Sequence, residues 1–290
     1  MEVKKKQGGI TVKKGINIWS FPAGPLAASF ELAKKAGFEG VEVAIGEAGE
    51  ITLTSTEKEL AAVRRAAAEC GISLYSLSCG LCWDFWLNAE DETERRKAKD
   101  MVKRQLFIAK ELGCDTVLVL PGCVTSVVDA SRVCDYAVAY DRSLDALAEL
   151  KETAERLQVG IGLENVWNKF LLSPLEMRDF IDKVGSPFVG AYFDVGNALL
   201  TGYPEQWIRI LGGRIKKVHF KDFRVNVGNL DGFVDLLAGD CNWPAVMQAF
   251  AEVGYDGWVS AEMIPNYKHH TEAIIYNTST AMDYILGRRK

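Results

Sequence analysis

The 290-residue sequence predicts an α/β fold built as a single (β/α)8 barrel, the TIM-barrel architecture. Three observations carry that expectation. An apolar or β-branched run followed by an amphipathic helical stretch recurs about every 30 residues, the length of one βα unit. Eight such units fit into the chain, the number that closes a barrel. Several runs, GVEVAI (40–45) and TVLVL (116–120) among them, are almost wholly apolar, as parallel strands covered on both faces are. An open doubly wound sheet would carry a glycine-rich phosphate loop after an early strand, and neither GxGxxG nor GxxxxGK[ST] occurs.

Taken in order, the apolar runs place strands at 15–20, 40–45, 72–78, 115–120, 159–164, 188–194, 214–220 and 257–262. Helices fall between them at 25–36, 56–70, 92–112, 140–158, 174–184, 204–211, 242–253 and 271–286. Gly37, Gly71, Gly113 and Gly254 stand where a helix C-terminus favours a left-handed residue before the next strand. Ser173-Pro174 and Asn242-Trp243-Pro244 each pair a cap residue with an early proline, a helix-start signature. The longest irregular stretch, 221–241, lies between the seventh and eighth strands, where a long βα loop belongs to the active site. Residues 1–14 hold five lysines and are followed by no long apolar stretch, so they read as an N-terminal tail and not a signal peptide, with the barrel spanning 15–290.

Composition narrows the function classes. Hydrophobic residues at 48% and charged ones at 25% exclude a disordered or collagen-like chain. The 34 Lys+Arg against 39 Asp+Glu give a net charge of −5 without basic blocks, which argues against a dedicated nucleic-acid binder. No apolar run approaches the ~20 residues of a membrane span. Seven irregularly spaced cysteines predict reduced thiols and a cytoplasmic setting. The CxxC at Cys79–Cys82 has no second pair for zinc and no thioredoxin-like context, so it reads as ordinary thiols.

Barrel chemistry sits at the C-terminal ends of strands. There, Glu164 ends the fifth strand, Asp194 the sixth, His219 the seventh and Glu262 the eighth. Each is embedded in apolar neighbours, where an unpaired charge is costly. Three carboxylates and an imidazole converging on one mouth repel unless a cation lies between them. That oxygen-rich set with one nitrogen suits one divalent ion, Mn²⁺, Zn²⁺, Co²⁺ or Mg²⁺. Around it, Lys221 and Arg224 are candidates to hold a substrate hydroxyl, carboxylate or phosphate. Asn197, three residues past Asp194, is a candidate substrate contact. Trp19 and Trp167, with Trp83 and Trp86, follow strand ends and suit an aromatic wall against a sugar face. Glu42, within the second strand, is a candidate to point into the same mouth.

At these residues the chain resembles the xylose isomerase-like TIM-barrel superfamily of sugar isomerases and epimerases. The resemblance rests on GLENVWN (162–168), FDVGN (193–197), KKVHFKDF (216–223), GDCNWPAV (239–246) and WVSAEM (258–263). It implies that Glu164, Asp194, His219 and Glu262 bind one divalent metal and that Glu164 and Glu262 form an acid/base pair. It also implies a divalent-metal-dependent epimerase or isomerase of a sugar or sugar phosphate, working by proton abstraction α to a carbonyl through an enediolate. FDVGN followed by HFKD is most similar to the sugar-phosphate branch. Relative to free-ketose epimerases, Asn197 stands in place of a histidine, Arg224 is displaced by one position, and Phe170-Leu171 replaces a glutamate. The alternative on the same scaffold is a metal-dependent dehydratase of inosose or dehydroshikimate type. DNA-repair endonucleases of the superfamily need more histidines than the three present. The expected partner is a small-molecule sugar or sugar-phosphate substrate, with no nucleic acid and no membrane. The resemblance also implies a dimer or tetramer of the chain.

Overall fold

The computed structural model describes residues 12–127 and 129–289. Its strands in chain order are β1 (Lys13–Asn17), β2 (Gly40–Ile45), β3 (Ser73–Cys79), β4 (Thr116–Val119), β5 (Gly160–Glu164), β6 (Val189–Asp194), β7 (Ile215–Phe220), β8 (Asp222–Phe223), β9 (Phe233–Val234) and β10 (Trp258–Ala261). All but β8 and β9 close a parallel barrel in the order β1-β10-β7-β6-β5-β4-β3-β2. The helices are α1 (Leu26–Ala36), α2 (Glu57–Glu69), α3 (Glu92–Leu112), α4 (Tyr136–Leu157), α5 (Pro174–Val184), α6 (Val195–Leu199), α7 (Pro204–Leu211), α8 (Trp243–Val253) and α9 (Ala273–Ile285). The expected (β/α)8 barrel is the observed one. Among the described residues no helix is long and apolar enough to cross a membrane.

The helices form for local reasons visible in their ends. Asp91 caps α3 by accepting from the Glu94 amide at 3.0 Å, and Gly113 closes it at φ 80°, a left-handed turn that costs glycine little. Met101, Gln105, Leu106, Ala109 and Leu112 follow helical spacing and are buried against the barrel. Thr56 and Glu59 form a capping box on α2, and Ser173 with Pro174 starts α5 as the sequence predicts. Outside the barrel wall the core is aliphatic and aromatic, with Phe30, Leu60, Leu106, Leu147, Phe180 and Phe250 fully buried. Each such side chain contributes about 1.5–3 kcal/mol of burial.

Three boundaries depart from the expectation. β1 starts at Lys13, so Lys13 and Lys14 belong to a strand, while residues 1–11 of the expected tail lie outside the described residues. Lys14 is 2% exposed, and its ammonium reaches Ser279 Oγ at 3.0 Å and Asp283 Oδ1 at 2.5 Å on α9. A paired lysine is thereby tolerated where an apolar residue is expected. β1 then ends at Asn17, whose side chain accepts from the Trp19 amide at 2.7 Å and opens a 3-10 turn. α4 begins at Tyr136, ahead of the expected 140, because the Asp135 carboxylate caps the Ala137 and Val138 amides. The third departure is the short α6, which continues directly from Asp194.

The segment 221–241 is not irregular throughout. β8 and β9 pair as an antiparallel hairpin, Asp222 opposite Val234 and Phe223 opposite Phe233. Its organiser is Asp222, 1% exposed, whose carboxylate accepts from the amides of Phe223 (2.9 Å), Leu237 (2.9 Å) and Cys241 (3.1 Å) and from Trp243 Nε1 (3.0 Å). Gly239 passes so close that a Cβ there would lie 2.2 Å from Asp222 Oδ1, so this position excludes every other residue. Replacing Asp222 strands several buried donors at once. Asp222→Ala is expected to lower stability by about 3 kcal/mol, read as a shift of the urea midpoint. A shift under about 0.5 kcal/mol would mean that the hairpin holds itself.

Candidate metal centre and active cavity

β5, β6, β7 and β10 are neighbours in the barrel, so their C-terminal ends share one half of the mouth. Glu164 and Asp194 are the last residues of their strands, His219 pairs in register with Asp194, and Glu262 follows β10 with its amide bonded to the Phe220 carbonyl at 3.1 Å. Inward-facing positions alternate along a strand. The four side chains therefore meet: one ligand atom from each of Glu164, Asp194, His219 and Glu262 lies within 4.8 Å of the others. Around His219 Nδ1, Glu164 Oε1 stands at 3.2 Å, Glu262 Oε2 at 3.3 Å and Asp194 Oδ2 at 3.8 Å.

The other imidazole nitrogen faces down the barrel. His219 Nε2 is 2.9 Å from Glu42 Oε2, and both side chains are fully buried. The same Glu42 oxygen accepts from Tyr192 Oη at 2.7 Å and Ser260 Oγ at 2.8 Å, while Ser78 Oγ donates to Oε1. Glu42 thus lies below the cavity and does not line it; it meets the site as a partner of His219 and not as a substrate contact. It acts on His219: by taking the Nε2–H it leaves Nδ1 aimed at the three carboxylates. Tyr192 and Ser260 stand two residues before Asp194 and Glu262 on the same inward faces. The signal that could have found them is a polar side chain at the inward position preceding each ligand in an apolar strand.

Asp194 is fixed from behind by Asn165, a residue the sequence reasoning passed over. Its Oδ1 accepts from the Asp194 amide and its Nδ2 donates to the Asp194 carbonyl, both at 2.8 Å. Asn197 lines the cavity, but its Nδ2 is spent on the Asn165 carbonyl at 2.9 Å and its amide on Asp194 Oδ1 at 2.7 Å. Lys221 enters the cluster itself, with Nζ 3.4 Å from Asp194 Oδ2 and in close ion pairing with Glu262 Oε2. Neither Asp194 Oδ2 nor Glu262 Oε2 receives a hydrogen bond of good geometry, although both are buried; the ammonium lies near them as a point charge without donating along their lone pairs.

These contacts set the protonation states. Burial pushes Glu164 up to about 7, against the pull of His219. Burial also raises Asp194, opposed by Lys221 and His219. For Glu262 burial is outweighed by Lys221 and His219, which hold it well below the usual carboxylate range. Burial disfavours charge on His219, but Glu42 and Glu262 more than offset it and keep the ring protonated well above its ordinary range. Lys221 is likewise held charged, by Asp194, Glu262 and Glu164 against burial.

Two buried anionic oxygens without a hydrogen bond, facing a third carboxylate and an aimed imidazole nitrogen, fit a divalent cation. Glu164, Asp194, His219 and Glu262 are the residues that could hold it. Above them opens a cavity of 580 Å³. Of the four, Glu164 and Glu262 line it, while Asp194 and His219 are wholly buried. Trp19 and Trp167 line it as well; Trp167 stacks on Phe233 at 5.0 Å and donates Nε1 to the Asn197 carbonyl at 2.9 Å. Trp83 joins them, but Trp86 is buried in the wall with Nε1 on the Trp83 carbonyl at 3.0 Å. Arg224 is corrected: the hairpin turns it outward, exposed, with Nε on the Ala238 carbonyl at 3.1 Å.

Residues 30–278 match the xylose isomerase-like TIM barrel family. The chain belongs to that family. An uncharacterized protein of Methanocaldococcus jannaschii is 28% identical over 178 residues, 59% of this chain and 58% of that one, so this match spans little more than half of either. L-Ribulose-5-phosphate 3-epimerase UlaE of Escherichia coli is 26% identical over 94% of both chains. Among solved structures, D-psicose 3-epimerase in the presence of D-fructose superposes with a TM-score of 0.80 at 19% identity, covering 95% of this chain and 100% of its own. The IolI protein with a bound zinc atom also gives 0.80 at 19% identity, covering 96% and 99%. These likenesses establish the shared family fold.

Two outcomes follow from the cluster. Asp194→Asn and His219→Ala are each expected to lose most bound metal, measured by elemental analysis of the purified variants; full occupancy in both would remove them as ligands. Because a ligating imidazole must give up the proton that the carboxylates hold on it, and Glu164 is raised to about 7, metal uptake at pH 7 is expected to release one proton from His219 and a further fraction from Glu164, and to tighten as pH rises. Titration calorimetry in buffers of different ionisation enthalpy measures this, and uptake without proton release would show that His219 is already neutral.

Proposed function

We propose that the protein is a divalent-metal-dependent epimerase or isomerase of a sugar or sugar phosphate that exchanges a proton on the carbon α to a carbonyl. The observation that carries this reading is the division of the cluster: two glutamates line the cavity, while Asp194 and His219 stay beneath it. The names of UlaE and of D-psicose 3-epimerase support the same reaction class.

Glu164, Asp194, His219 and Glu262 would hold the ion, Mn²⁺, Zn²⁺, Co²⁺ or Mg²⁺, which supplies Lewis acidity toward a carbonyl oxygen. The chain's own groups do the rest. One cavity-facing glutamate takes the α-proton as the electron pair moves into an enediolate. The other returns a proton to carbon, on the opposite face when the centre is inverted. Epimerisation runs both ways, so each glutamate is base in one direction and acid in the other. Their environments already differ, with Glu164 raised by burial and Glu262 held ionised beside Lys221, the separation an acid/base pair requires. Lys221 steadies the Glu262 carboxylate between turnovers. The indoles of Trp19 and Trp167 shield the reacting carbon from water.

The test is deuterium incorporation. Metal-loaded protein in D₂O with ketoses, ketose phosphates and inososes is expected to exchange the proton next to the carbonyl, read by proton NMR, and chelation is expected to stop it. Loss of water from the substrate would move the reaction to a dehydratase. Glu164→Gln and Glu262→Gln are each expected to slow exchange by about 10²–10⁴-fold. An unchanged rate in either variant removes that glutamate from the proton transfer.

A further inference from the structure

The cavity divides along the barrel order. Its carboxylate half comes from β5, β6, β7 and β10, whereas the half opposite is built by the ends of β1, β3 and β4. That second half presents Trp19, Cys79, Trp83, Leu118 and Leu120. It is carbon and thiol, and burial pushes the Cys79 thiol up to about 11, so it carries no charge at neutral pH. The stacked pair Trp167–Phe233 closes the side between the halves.

The charge lining is equally one-sided. Lys221 is the sole lysine or arginine among the described residues that line the cavity or the 380 Å³ cleft adjoining it. Its ammonium is already committed to Asp194 and Glu262. Glu164, Glu262 and Asp231 face the cavity, and Asp222 and Asp235 line the adjoining cleft. Arg224, the other cation of the loop, points to solvent. The Asn197 amide in the first turn of α6 is taken by Asp194 Oδ1. A phosphate dianion is held by arginine, lysine or free amides, and here it would meet carboxylates and aromatic carbon. A volume of 580 Å³ falls in the range of about 300–1,000 Å³ that accommodates ligands larger than a bare sugar.

We propose that the site takes an uncharged keto-sugar bearing an apolar substituent, a ketoglycoside of an aromatic or aliphatic alcohol, in preference to a phosphorylated sugar. The carbonyl end lies against Glu164 and Glu262, and the substituent lies against Trp19, Trp83, Leu118 and Leu120. This rests on the α-proton reading above for the direction in which the substrate enters. It separates the chain from UlaE, which is named for a phosphorylated pentulose.

Binding and turnover test the two readings apart. Manganese-loaded protein is titrated calorimetrically with phenyl β-D-glucoside, methyl β-D-glucoside and methyl β-D-glucoside 6-phosphate, acetals that expose no carbonyl and so cannot react. Phenyl glucoside is expected to bind at least about tenfold tighter than methyl glucoside, and the 6-phosphate no tighter than methyl glucoside. Trp83→Ala is expected to erase the phenyl preference with metal content unchanged; should it fail to fold, Trp19→Ala is expected to reduce that preference severalfold. The methyl glucoside 6-phosphate as the tightest ligand, or equal binding of phenyl and methyl glucosides, overturns the proposal. The phenyl glucoside oxidised to a ketone at C3 is then followed in D₂O. Exchange there supports both readings. A retained phenyl preference without exchange overturns the reaction and leaves the substrate class standing.

Discussion

Glu42 and His219 form a buried pair at the centre of the barrel, and the mouth is arranged around it. Burying a carboxylate is expensive unless its lone pairs are filled. Here Ser78, Tyr192, Ser260 and His219 fill them, from four different strands. The pair therefore ties β2, β3, β6, β7 and β10 through one side chain while fixing the imidazole's orientation. Above it the cluster is short of positive charge: Glu42, Glu164, Asp194 and Glu262 face only His219 and Lys221. The imidazole proton offsets part of that shortage, while burial raises Glu164 toward neutrality. A divalent cation held here would relieve the same shortage in a different way, in competition with the proton.

The hairpin after β7 links this charge balance to the cavity's shape. Lys221 lies between β7 and β8, so the register that puts His219 beside Asp194 also delivers the ammonium to Glu262. β9 then carries Phe233 onto Trp167, and Lys221 Nζ sits 5.3 Å from the Phe233 ring. Asp222, gathering amides from three points of the loop and the indole of Trp243, holds that hairpin against α8. A single segment thus supplies a charge to the cluster and an aromatic wall to the substrate space.

The family fold leaves the substrate open. Proteins that superpose at a TM-score of 0.80 share 19% of their residues with this chain, so the barrel is common to sequences that have diverged widely. In this chain the half-mouth formed by β1, β3 and β4 is apolar, and Lys221, the one lysine or arginine among the described residues lining the cavity, is already paired.

The sequence by itself determined the barrel and the four clustered residues. Both are written in local pattern: apolar runs with helical spacing between them, and an ionisable residue closing each of four consecutive runs. A parallel barrel converts that one-dimensional regularity into convergence, because every strand end points to the same mouth. The tertiary structure decided what the remaining polar residues do. Glu42 reads as a strand residue like any other until Tyr192, Ser260 and His219, distant in sequence, close over it. Arg224 and Lys221 are alike in sequence and opposite in outcome, since the hairpin turns one to solvent and the other into the cluster. Asn165 follows Glu164 in sequence, yet its role is a pair of hydrogen bonds across to β6. Lys14 falls in the expected tail and is buried, because its partners come from the last helix. In each case the deciding contact is long-range, and local pattern carries no record of it.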